Sequence, residues 1–277
     1  MKTIRIPKLS RVALYAILIL FAFFFLLPLW TAITTSLKTA EEVALGRPAE
    51  FPASPTIAPY LSAFDYLKRP LLNSITFATV AMILQCSIAS LGAYALTKLE
   101  FRGSTLIFLL LVLALFVPYQ AVLVPLVQTM SRLGIYNTLW ALILAHTAYG
   151  IPFIIPIFRV FYEYIPDSLI KSARVDGAGP WATYRHVVLP LSKFPFIVAA
   201  SLTFTFIWND FLFGLVLARG VEALPATVAL ANLKGSYAGL WNLQMAGAVI
   251  VLLPVLIIYL VLGKYIMRGY MAGAVKG

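Results

Sequence analysis

The chain has 277 residues, of which 62% are hydrophobic and only 11% are charged, and its formal net charge is +11 at pH 7. This composition excludes an ordinary soluble globular domain and indicates a protein embedded in a lipid bilayer. The basic residues are dispersed among short loops, which argues against a nucleic-acid-binding surface.

Six apolar runs are long enough to cross the bilayer, because a transmembrane helix needs about 20 residues at a rise of roughly 1.5 Å each. The first run follows Lys2, Arg5, Lys8 and Arg11. It exceeds the roughly 7 to 15 residues of a signal-peptide core, so we interpret it as a retained span. The six runs are residues 12–34, 72–96, 105–127, 139–161, 194–217 and 245–262. The sequence therefore predicts an all-α polytopic membrane protein, with residues 1–277 forming a single transmembrane domain.

Lysine and arginine are distributed unevenly between the two sides of these predicted spans. Fourteen of the 21 lie at the two termini and in the loops near residues 97–104 and 159–193, whereas seven lie in the connections on the opposite side. Because cytoplasmic loops carry an excess of basic residues, both termini are predicted to be cytoplasmic. Residues 162–193 then form a long cytoplasmic loop.

The connection from Lys38 to Pro70 is rich in proline and carries four acidic residues. Its composition fits an ordered cap or docking surface and an inert linker equally well. Asn73 or Ser74 is expected to cap the amino end of the second span, since either side chain can accept a hydrogen bond from an unpaired backbone N–H group. Cys86, the single cysteine, lies inside that span and is expected to be a small buried apolar residue.

Prolines interrupt the third and fourth predicted spans. Pro118 and Pro125 remove backbone donors and are expected to bend or break the third span, beside the polar Tyr119. A bent and partly polar helix fits the wall of a polar pathway, but prolines are also tolerated inside a packed bundle. Pro152 and Pro156 in the fourth span allow the same two interpretations.

Asp210 is the one acidic residue inside a predicted span, directly after Trp208 and Asn209. A carboxylate at mid-membrane costs roughly 2.5 to 3.5 kcal/mol, so it should face protein or water. It either borders a pathway or locks two helices together, and we favour the second role. His146 in the fourth span is expected to be a hydrogen-bonded packing residue, because no second ligand at i+3 or i+4 completes a metal site.

The predicted cytoplasmic loop contains local signals for two short helices that meet at a glycine turn. Asp167 or Ser168 is suited to cap the first helix, Gly177 to end it and Pro180 to start the second. The dipeptide Leu189-Pro190 then closes the element.

One face of the first short helix is suited to close contact with a partner. Ala173 and Gly177 are four residues apart and share a face without bulky side chains, where another backbone can approach. Leu169 and Ile170 add apolar contact. Positive charge surrounds this face at Lys171, Arg174 and Arg185. We interpret the face as a plug for a partner protein.

The second short helix carries Trp181 and Tyr184, three residues apart, which form an aromatic ridge expected to pack beneath the spans. A solvated connector is the alternative interpretation of the whole loop. We favour the plug, because a connector has no need for two capped helices with opposed small and aromatic faces.

The loop resembles that of the integral membrane permease subunits of bacterial ATP-binding-cassette (ABC) importers, in the carbohydrate-uptake branch that includes maltose-type permeases. The family's loop reads approximately E-A-A, three residues, G, and a stretch ending in L-P. It is similar to Lys171, Ser172 and Ala173, followed by Gly177 and Leu189-Pro190. Further agreements are Arg174, Asp176 and Ala178.

Resemblance to the same branch extends over nearly the whole chain. It includes "LGIYNTLWALIL" at residues 133–144, "WNDF" at 208–211, "LWNLQMAG" at 240–247 and the ending "GAVKG". The departures are Lys171 in place of the usual glutamate and Ser172 in place of the usual alanine. They bring any ion pair made by that glutamate into question, while the helix and the turn tolerate both changes.

The resemblance implies that residues 168–185 form a coupling helix that docks into a groove on a separate ATPase subunit. The coupling residues would be Leu169, Lys171, Ser172, Ala173, Arg174, Asp176, Gly177, Leu189 and Pro190. Candidates for the substrate pathway are Gln85, Tyr119, Gln120, Asn209 and Asp210. The sequence contains no G-x-x-x-x-G-K-[ST], so we expect no cofactor and no catalytic residue on this chain, with ATP and magnesium bound by the partner.

The resemblance also implies the assembly. The partners would be a homologous second permease subunit, forming a heterodimer, two ATPase subunits and an extracytoplasmic sugar-binding protein, all at the bacterial cytoplasmic (inner) membrane. The substrate would be a sugar or an oligosaccharide. A self-contained ion-coupled transporter or channel is the alternative, but the sequence offers one buried acid and no visible inverted repeat. An intramembrane enzyme is also disfavoured, because the sequence contains no paired catalytic residues and no metal-binding constellation.

Overall fold

Helices form nearly all of the regular structure in the computed structural model, which describes residues 8–99, 101–236 and 239–274. Hydrocarbon offers no hydrogen-bond partners, so an apolar chain satisfies its backbone groups within helices. No strand occurs among the described residues. The α-helices are α1 (Lys8–Ser36), α2 (Ala40–Ala44), α3 (Ala58–Lys98), α4 (Ser104–Ala114), α5 (Leu123–Arg132), α6 (Leu139–Glu163), α7 (Asp167–Val175), α8 (Pro180–Thr183), α9 (Leu189–Leu191), α10 (Lys193–Asn209), α11 (Leu212–Leu217), α12 (Ala226–Ser236) and α13 (Trp241–Ala274).

Four described helices are long and apolar enough to span a membrane, and two bent helix pairs raise the number to six if each pair is one span. The four are Arg11–Ser36 within α1, α3, α6 and Trp241–Gly263 within α13. The bent pairs are Ser104–Ala114 with Tyr119–Arg132, bent by 89°, and Pro180–Leu191 with Lys193–Asn209, bent by 78°. The predicted all-α polytopic class is confirmed.

The second span begins 14 residues before its predicted start, because α3 starts at Ala58 rather than at residue 72. The prediction that Asn73 or Ser74 caps this helix is therefore wrong, since both lie in its interior. The side-chain amide of Asn73 donates to the carbonyl of Leu224 at 3.1 Å, and the Ser74 hydroxyl accepts from the backbone N–H of Ala226 at 2.8 Å. Ser74 thus provides a hydrogen-bond acceptor for the first backbone N–H of α12 instead. The sequence identifies a side chain that can cap a helix, but not which helix it caps.

Proline breaks the third span as predicted, but at one of the two candidate positions. The chain turns after α4, and Pro118 is the extended residue that precedes a short 3₁₀ turn, Tyr119–Val122. Pro125 lies in the first turn of α5, where its missing N–H has no helical acceptor to lose. Inside α6, Pro152 and Pro156 are accommodated without a break.

The fifth predicted span is also divided. Asp210 separates α10 from α11 and has an extended backbone, with ψ at 133°. The hydrogen-bond pattern of a helix cannot continue through an extended residue. The helix is therefore interrupted at Asp210, directly after Trp208 and Asn209 at the end of α10.

The chain divides into two compact units, with bounds Met1–Leu67 and Leu230–Leu252 for the first and Lys68–Ala229 and Leu253–Gly277 for the second. In the first unit, hydrogen bonds hold the proline-rich connection to the end of α1 and the residues that follow it. The buried Lys38 ammonium donates to the carbonyl of Arg47, and the Thr34 hydroxyl donates to the carbonyl of Pro48 at 2.7 Å.

The core of the second unit lies where the predicted cytoplasmic loop meets the spans. Its fully buried side chains include Phe158 and Tyr162 from α6 and Val188 from the loop. Cys86 is buried in this cluster, as expected of a small apolar residue. Both candidate functional regions described below belong to this unit.

Candidate coupling surface and transmembrane cavity

The glycine turn of the predicted coupling loop is formed as the sequence indicated. Gly177 has a φ of +82°, a left-handed conformation that glycine adopts without strain. Its N–H donates to the carbonyl of Arg174 at 3.0 Å, and the N–H of Ala178 donates to that of Ala173 at 2.9 Å. These two bonds satisfy the last carbonyls of α7 and end the helix. Pro180 occupies the first turn of α8, as predicted.

The start of α7 differs from the prediction. Pro166 is the residue that precedes the helix, and neither Asp167 nor Ser168 caps it. Asp167 instead accepts a hydrogen bond from the Lys98 ammonium at the end of α3, at 2.7 Å. This hydrogen bond and the Lys98 charge lower the pKa of Asp167, and the charge of Lys171 acts in the same direction. An ion pair to a neighbouring helix has taken the place of a local cap.

Most of the predicted coupling residues are exposed. We call the set Leu169, Lys171, Ser172, Ala173, Arg174, Asp176, Gly177, Leu189 and Pro190 the coupling surface, and all of them except the half-buried Ala173 are open to solvent. The prediction that Ile170 adds apolar contact to this surface is wrong, because its side chain packs into the core of the unit. Val175 is 86% exposed and extends the apolar part of the surface.

The aromatic ridge divides between two environments. Tyr184 is buried beneath the spans, as predicted, while Trp181 stacks on it with ring centroids 5.8 Å apart and remains 61% exposed. The expectation that both rings pack inward is therefore wrong for Trp181. Its exposed indole belongs to the open side of the loop.

Three buried hydroxyl groups fasten the loop to the spans, and no sequence pattern indicated them. The Ser90 hydroxyl of α3 lies 2.6 Å from the Tyr162 hydroxyl of α6 and 2.7 Å from the Tyr184 hydroxyl of the loop. Tyr184 begins a π-helical turn, Tyr184–Val188, a distortion that often marks functional sites. We call Ser90, Tyr162 and Tyr184 the hydroxyl cluster. It joins α3, α6 and the loop at one point.

A cavity of about 230 Å³ lies between α3, α6, α10 and α11. Its wall includes Gln85, Tyr119, His146, Gly150, Phe206 and Asp210. A second, more open depression of about 470 Å³ shares Tyr119, Phe206 and Asp210 with it and adds Asn209 and Tyr259. Four of the five pathway candidates therefore lie together. Gln120 lines neither of these two spaces.

Asp210 both fixes a helix start and faces the cavity. One carboxylate oxygen accepts from the N–H of Phe213 at 3.0 Å, and the Asp210 carbonyl accepts from the Thr227 hydroxyl at 2.8 Å. The carboxylate bond is local, and the bond to Thr227 is made by the backbone, so a side-chain lock between two helices stays a prediction. The same side chain borders the cavity.

His146 packs as expected but lacks the expected hydrogen bond at one nitrogen. Its ring stacks on Phe77 at 5.7 Å and meets the edge of Phe213 at 5.2 Å. Nε2 is buried and makes no hydrogen bond within the described part of the chain, with Asp210 Oδ2 3.7 Å away. Among the described residues no group of three potential metal ligands forms.

Comparison with known proteins identifies the family. Residues 87–271 match the family described as "Binding-protein-dependent transport system inner membrane component". A probable ABC transporter permease protein of Pyrococcus horikoshii is 52% identical over 97% of this chain and 98% of its own length. The xylose/arabinose import permease protein of Haloferax volcanii is 34% identical over 95% of this chain and 92% of its own length. The trehalose transport system permease protein of Mycobacterium tuberculosis is 32% identical, with 91% and 93% covered.

A solved structure supports the same fold. A chain of a bacterial ABC transporter involved in the import of the acidic polysaccharide alginate superimposes with a TM-score of 0.81, covering 95% of this chain and 99% of that chain at 23% identity. The predicted resemblance is thus confirmed by sequence over most of the chain and by fold. The chain belongs to the family of inner membrane components of binding-protein-dependent transport systems and is a permease subunit of an ABC importer.

Proposed function

We propose that this permease imports a neutral sugar or a short oligosaccharide, with the energy supplied by ATP hydrolysis on a separate subunit. Support for the substrate class comes from relatives that are named for xylose and arabinose, for trehalose and for alpha-glucosides. Support for a separate motor comes from the sequence, which contains no phosphate-binding G-x-x-x-x-G-K-[ST] loop. ATP and magnesium would bind to that motor.

The coupling surface would dock into the ATPase. The observation that carries this proposal is the contrast within one loop, where an exposed turn at Gly177 is fastened to the spans through the buried hydroxyl cluster. To move a helix bundle from a 1:99 to a 99:1 ratio of two conformations, a partner must stabilise one conformation over the other by about 5.5 kcal/mol. A loosely tethered loop would move independently of the spans and could not transfer this free energy to them. A loop that is fixed to α3 and α6 can do so.

The assembly would contain a second, homologous permease subunit, two ATPase subunits and an extracytoplasmic binding protein. The loop would lie on the cytoplasmic side with both termini, in agreement with the excess of basic residues there. Gln85, Tyr119, Asn209 and Asp210 would contribute to the pathway wall. Gln120 stays a sequence-based candidate without support from either cavity.

Reconstitution tests this proposal. The chain is purified with its partners, inserted into vesicles, and assayed for uptake of trehalose, xylose and arabinose with and without ATP. We expect uptake of at least one sugar that requires ATP and the binding protein. Uptake that follows an ion gradient and continues without ATP would favour the ion-coupled transporter instead, and the absence of any co-purifying ATPase would contradict the docking role.

A further inference from the structure

We propose that the π-helical turn Tyr184–Val188 is a rigid connection that transmits movement of the coupling surface to α10, and that His186 is a positioning residue that stabilises this turn. This role rests on the proposed ATP-driven import, and it falls to a side chain that is not part of the coupling surface. The cause of the turn, its hydrogen bonds and its place between the loop and the cavity support it.

Pro190 explains why the helix widens at this point. In a regular α-helix the ring of Pro190 would collide with the carbonyl of His186, four residues earlier, and Pro190 has no N–H to donate to that carbonyl. A π turn lengthens the hydrogen-bond step from four residues to five. The backbone N–H of Leu189 accordingly donates to the carbonyl of Tyr184. We therefore attribute the wide turn to the proline that follows it.

Two side chains stabilise the wide turn from outside the backbone. His186 Nδ1 lies 3.0 Å from the carbonyl oxygen of Ala182. A carbonyl oxygen only accepts, so Nδ1 carries the hydrogen of this bond. The buried Ser192 hydroxyl donates to the carbonyl of Val188. Each bond joins residues four positions apart, so together they support the backbone before and after the five-residue step.

The turn connects the buried part of the loop to its exposed part. Its first residue, Tyr184, belongs to the hydroxyl cluster, and its last, Val188, is fully buried in the core of the unit. Leu189 and Pro190 follow directly and are exposed on the coupling surface. A displacement of the coupling surface therefore reaches the core through this turn.

Helix α10 continues from the turn to the transmembrane cavity. The helical segment Pro180–Leu191 is bent by 78° against Lys193–Asn209. Thr203, Phe206 and Ile207 of α10 line the cavity. A helix is a rigid element, so a change of angle at its start displaces the side chains near its end. A turn that deforms would absorb this movement, whereas a stabilised turn passes it on.

Two substitutions at His186 test the role of its hydrogen bond. Asparagine places its side-chain nitrogen where Nδ1 of histidine lies, so His186→Asn keeps a donor for the Ala182 carbonyl. His186→Leu has the same branching and no donor. Both variants are purified with the ATPase and the other partners, inserted into vesicles, and assayed for uptake of trehalose, xylose and arabinose and for ATP hydrolysis.

We expect His186→Leu to lower the ratio of sugar imported to ATP hydrolysed roughly fivefold, the factor that corresponds to one hydrogen bond. The rate of ATP hydrolysis should stay unchanged, because His186 lies outside the coupling surface. His186→Asn should restore the ratio. A residue that only maintained the fold would instead change the amount of complex recovered.

Hydrogen exchange of the same complexes reports on the turn itself. Backbone amides between Tyr184 and Leu189 should exchange roughly fivefold faster in His186→Leu, while His186→Asn should resemble the unsubstituted chain. Ser192→Ala removes the second side-chain bond and should act in the same direction in both assays.

Three results would overturn the proposal. Faster exchange in His186→Leu with an unchanged import ratio would show that the turn does not transmit the movement. An import ratio in His186→Asn as low as in His186→Leu would show that the bond to Ala182 is not the cause. Slower ATP hydrolysis in His186→Leu would assign the residue to the docking contact instead. The unsubstituted complex tests the proposed function separately, because absence of ATP-dependent uptake there would contradict the import function whatever the variants do.

Discussion

The coupling surface and the cavity differ in how their residues are arranged along the chain. The coupling surface lies between Leu169 and Pro190, is largely exposed, and is organised by one turn with a positive φ at Gly177. The cavity is lined by both buried and exposed residues, which come from α3, α4, α6, α10, α11 and the segment between α4 and α5. We propose that the first region docks onto another protein and that the second contributes to the wall of the substrate pathway.

This comparison predicts that the two regions tolerate change differently. At the coupling surface the side chains are open, so the backbone conformation is the property that a substitution can destroy. In the cavity, space is limited and polar partners are fixed, so the volume and hydrogen-bonding capacity of single side chains decide the effect. Each prediction below tests one side of this contrast.

Gly177→Asp should have the largest effect. A non-glycine residue in the left-handed region costs roughly 1 to 2 kcal/mol, and the new carboxylate would stand on the proposed docking surface. We expect uptake to be abolished while membrane insertion is retained, measured as ATP-dependent sugar uptake and as protein recovered in the membrane. Normal transport by this variant would refute the docking role.

The controls for this variant separate strain from charge. Gly179→Ala changes a nearby glycine with a negative φ and open space around it, so uptake should stay near normal. Gly177→Ala adds the backbone strain without the charge and should give an intermediate loss. Equal loss in both alanine variants would show that this part of the loop is sensitive to any side chain.

Ser90→Ala should have the next largest effect and tests the hydroxyl cluster. Removing the serine hydroxyl deprives the buried Tyr184 hydroxyl of its partner, at a cost of about 1 to 3 kcal/mol. We expect a lower ratio of sugar imported to ATP hydrolysed, because the loop is less firmly joined to α3. Ser87→Ala, at an exposed position one turn earlier, is the matched control. An unchanged ratio in Ser90→Ala would separate the cluster from coupling.

Sequence alone predicted the glycine turn of this loop and the start of its second helix because their determinants are local. The turn at Gly177 and the start at Pro180 depend on residues within a few positions, and both are observed. The errors at this loop came from longer-range contacts. The Asp167 side chain is able to cap a helix, but it forms an ion pair with Lys98 instead, which lies 69 positions away in the sequence.

The cavity was only partly predictable for the same reason. Polarity in an apolar run indicated Gln85, Tyr119 and Asp210, which line the cavity, but also Asn209, which lines the neighbouring depression, and Gln120, which lines neither. No sequence signal indicated Gly150, whose importance depends on the Gln85 amide that packs against it from another helix. The hydroxyl cluster was missed likewise, since serine and tyrosine are common in spans and their convergence is a property of the fold.

Asp210 tests whether locking and pathway roles can be separated. Asp210→Ala removes the acceptor for the Phe213 N–H and should cost about 1 kcal/mol, as for other lost caps. Asparagine caps helices as well as aspartate does, so Asp210→Asn should preserve stability. Loss of the negative charge from the proposed pathway wall should make uptake more sensitive to competition by acidic sugars. Thermal unfolding of the purified complex and uptake competition by glucuronate measure the two effects. If Asp210→Asn were as unstable as Asp210→Ala, the charge rather than the cap would hold the break.

The Lys98–Asp167 pair should give the smallest effect, since the aspartate side chain is 72% exposed. Lys98 lowers the pKa of Asp167 below its ordinary value, so the folded state favours the carboxylate. The resulting stabilisation is fully present above the ordinary pKa of about 3.9 and is lost as the pH falls through the lower value of the folded state. Asp167→Asn should therefore lower the stability of α7 slightly at pH 7, and the difference from the unsubstituted chain should shrink below about pH 4. Hydrogen exchange across α7 at several pH values measures this, with the neighbouring Ser168→Ala as a control that does not titrate. A difference that persists unchanged at the lowest pH would mean that the carboxylate acts through packing rather than charge, and that the loop is anchored to α3 by its other bonds, such as those from Lys98 to the Ile165 carbonyl and from Tyr94 to the Pro180 carbonyl.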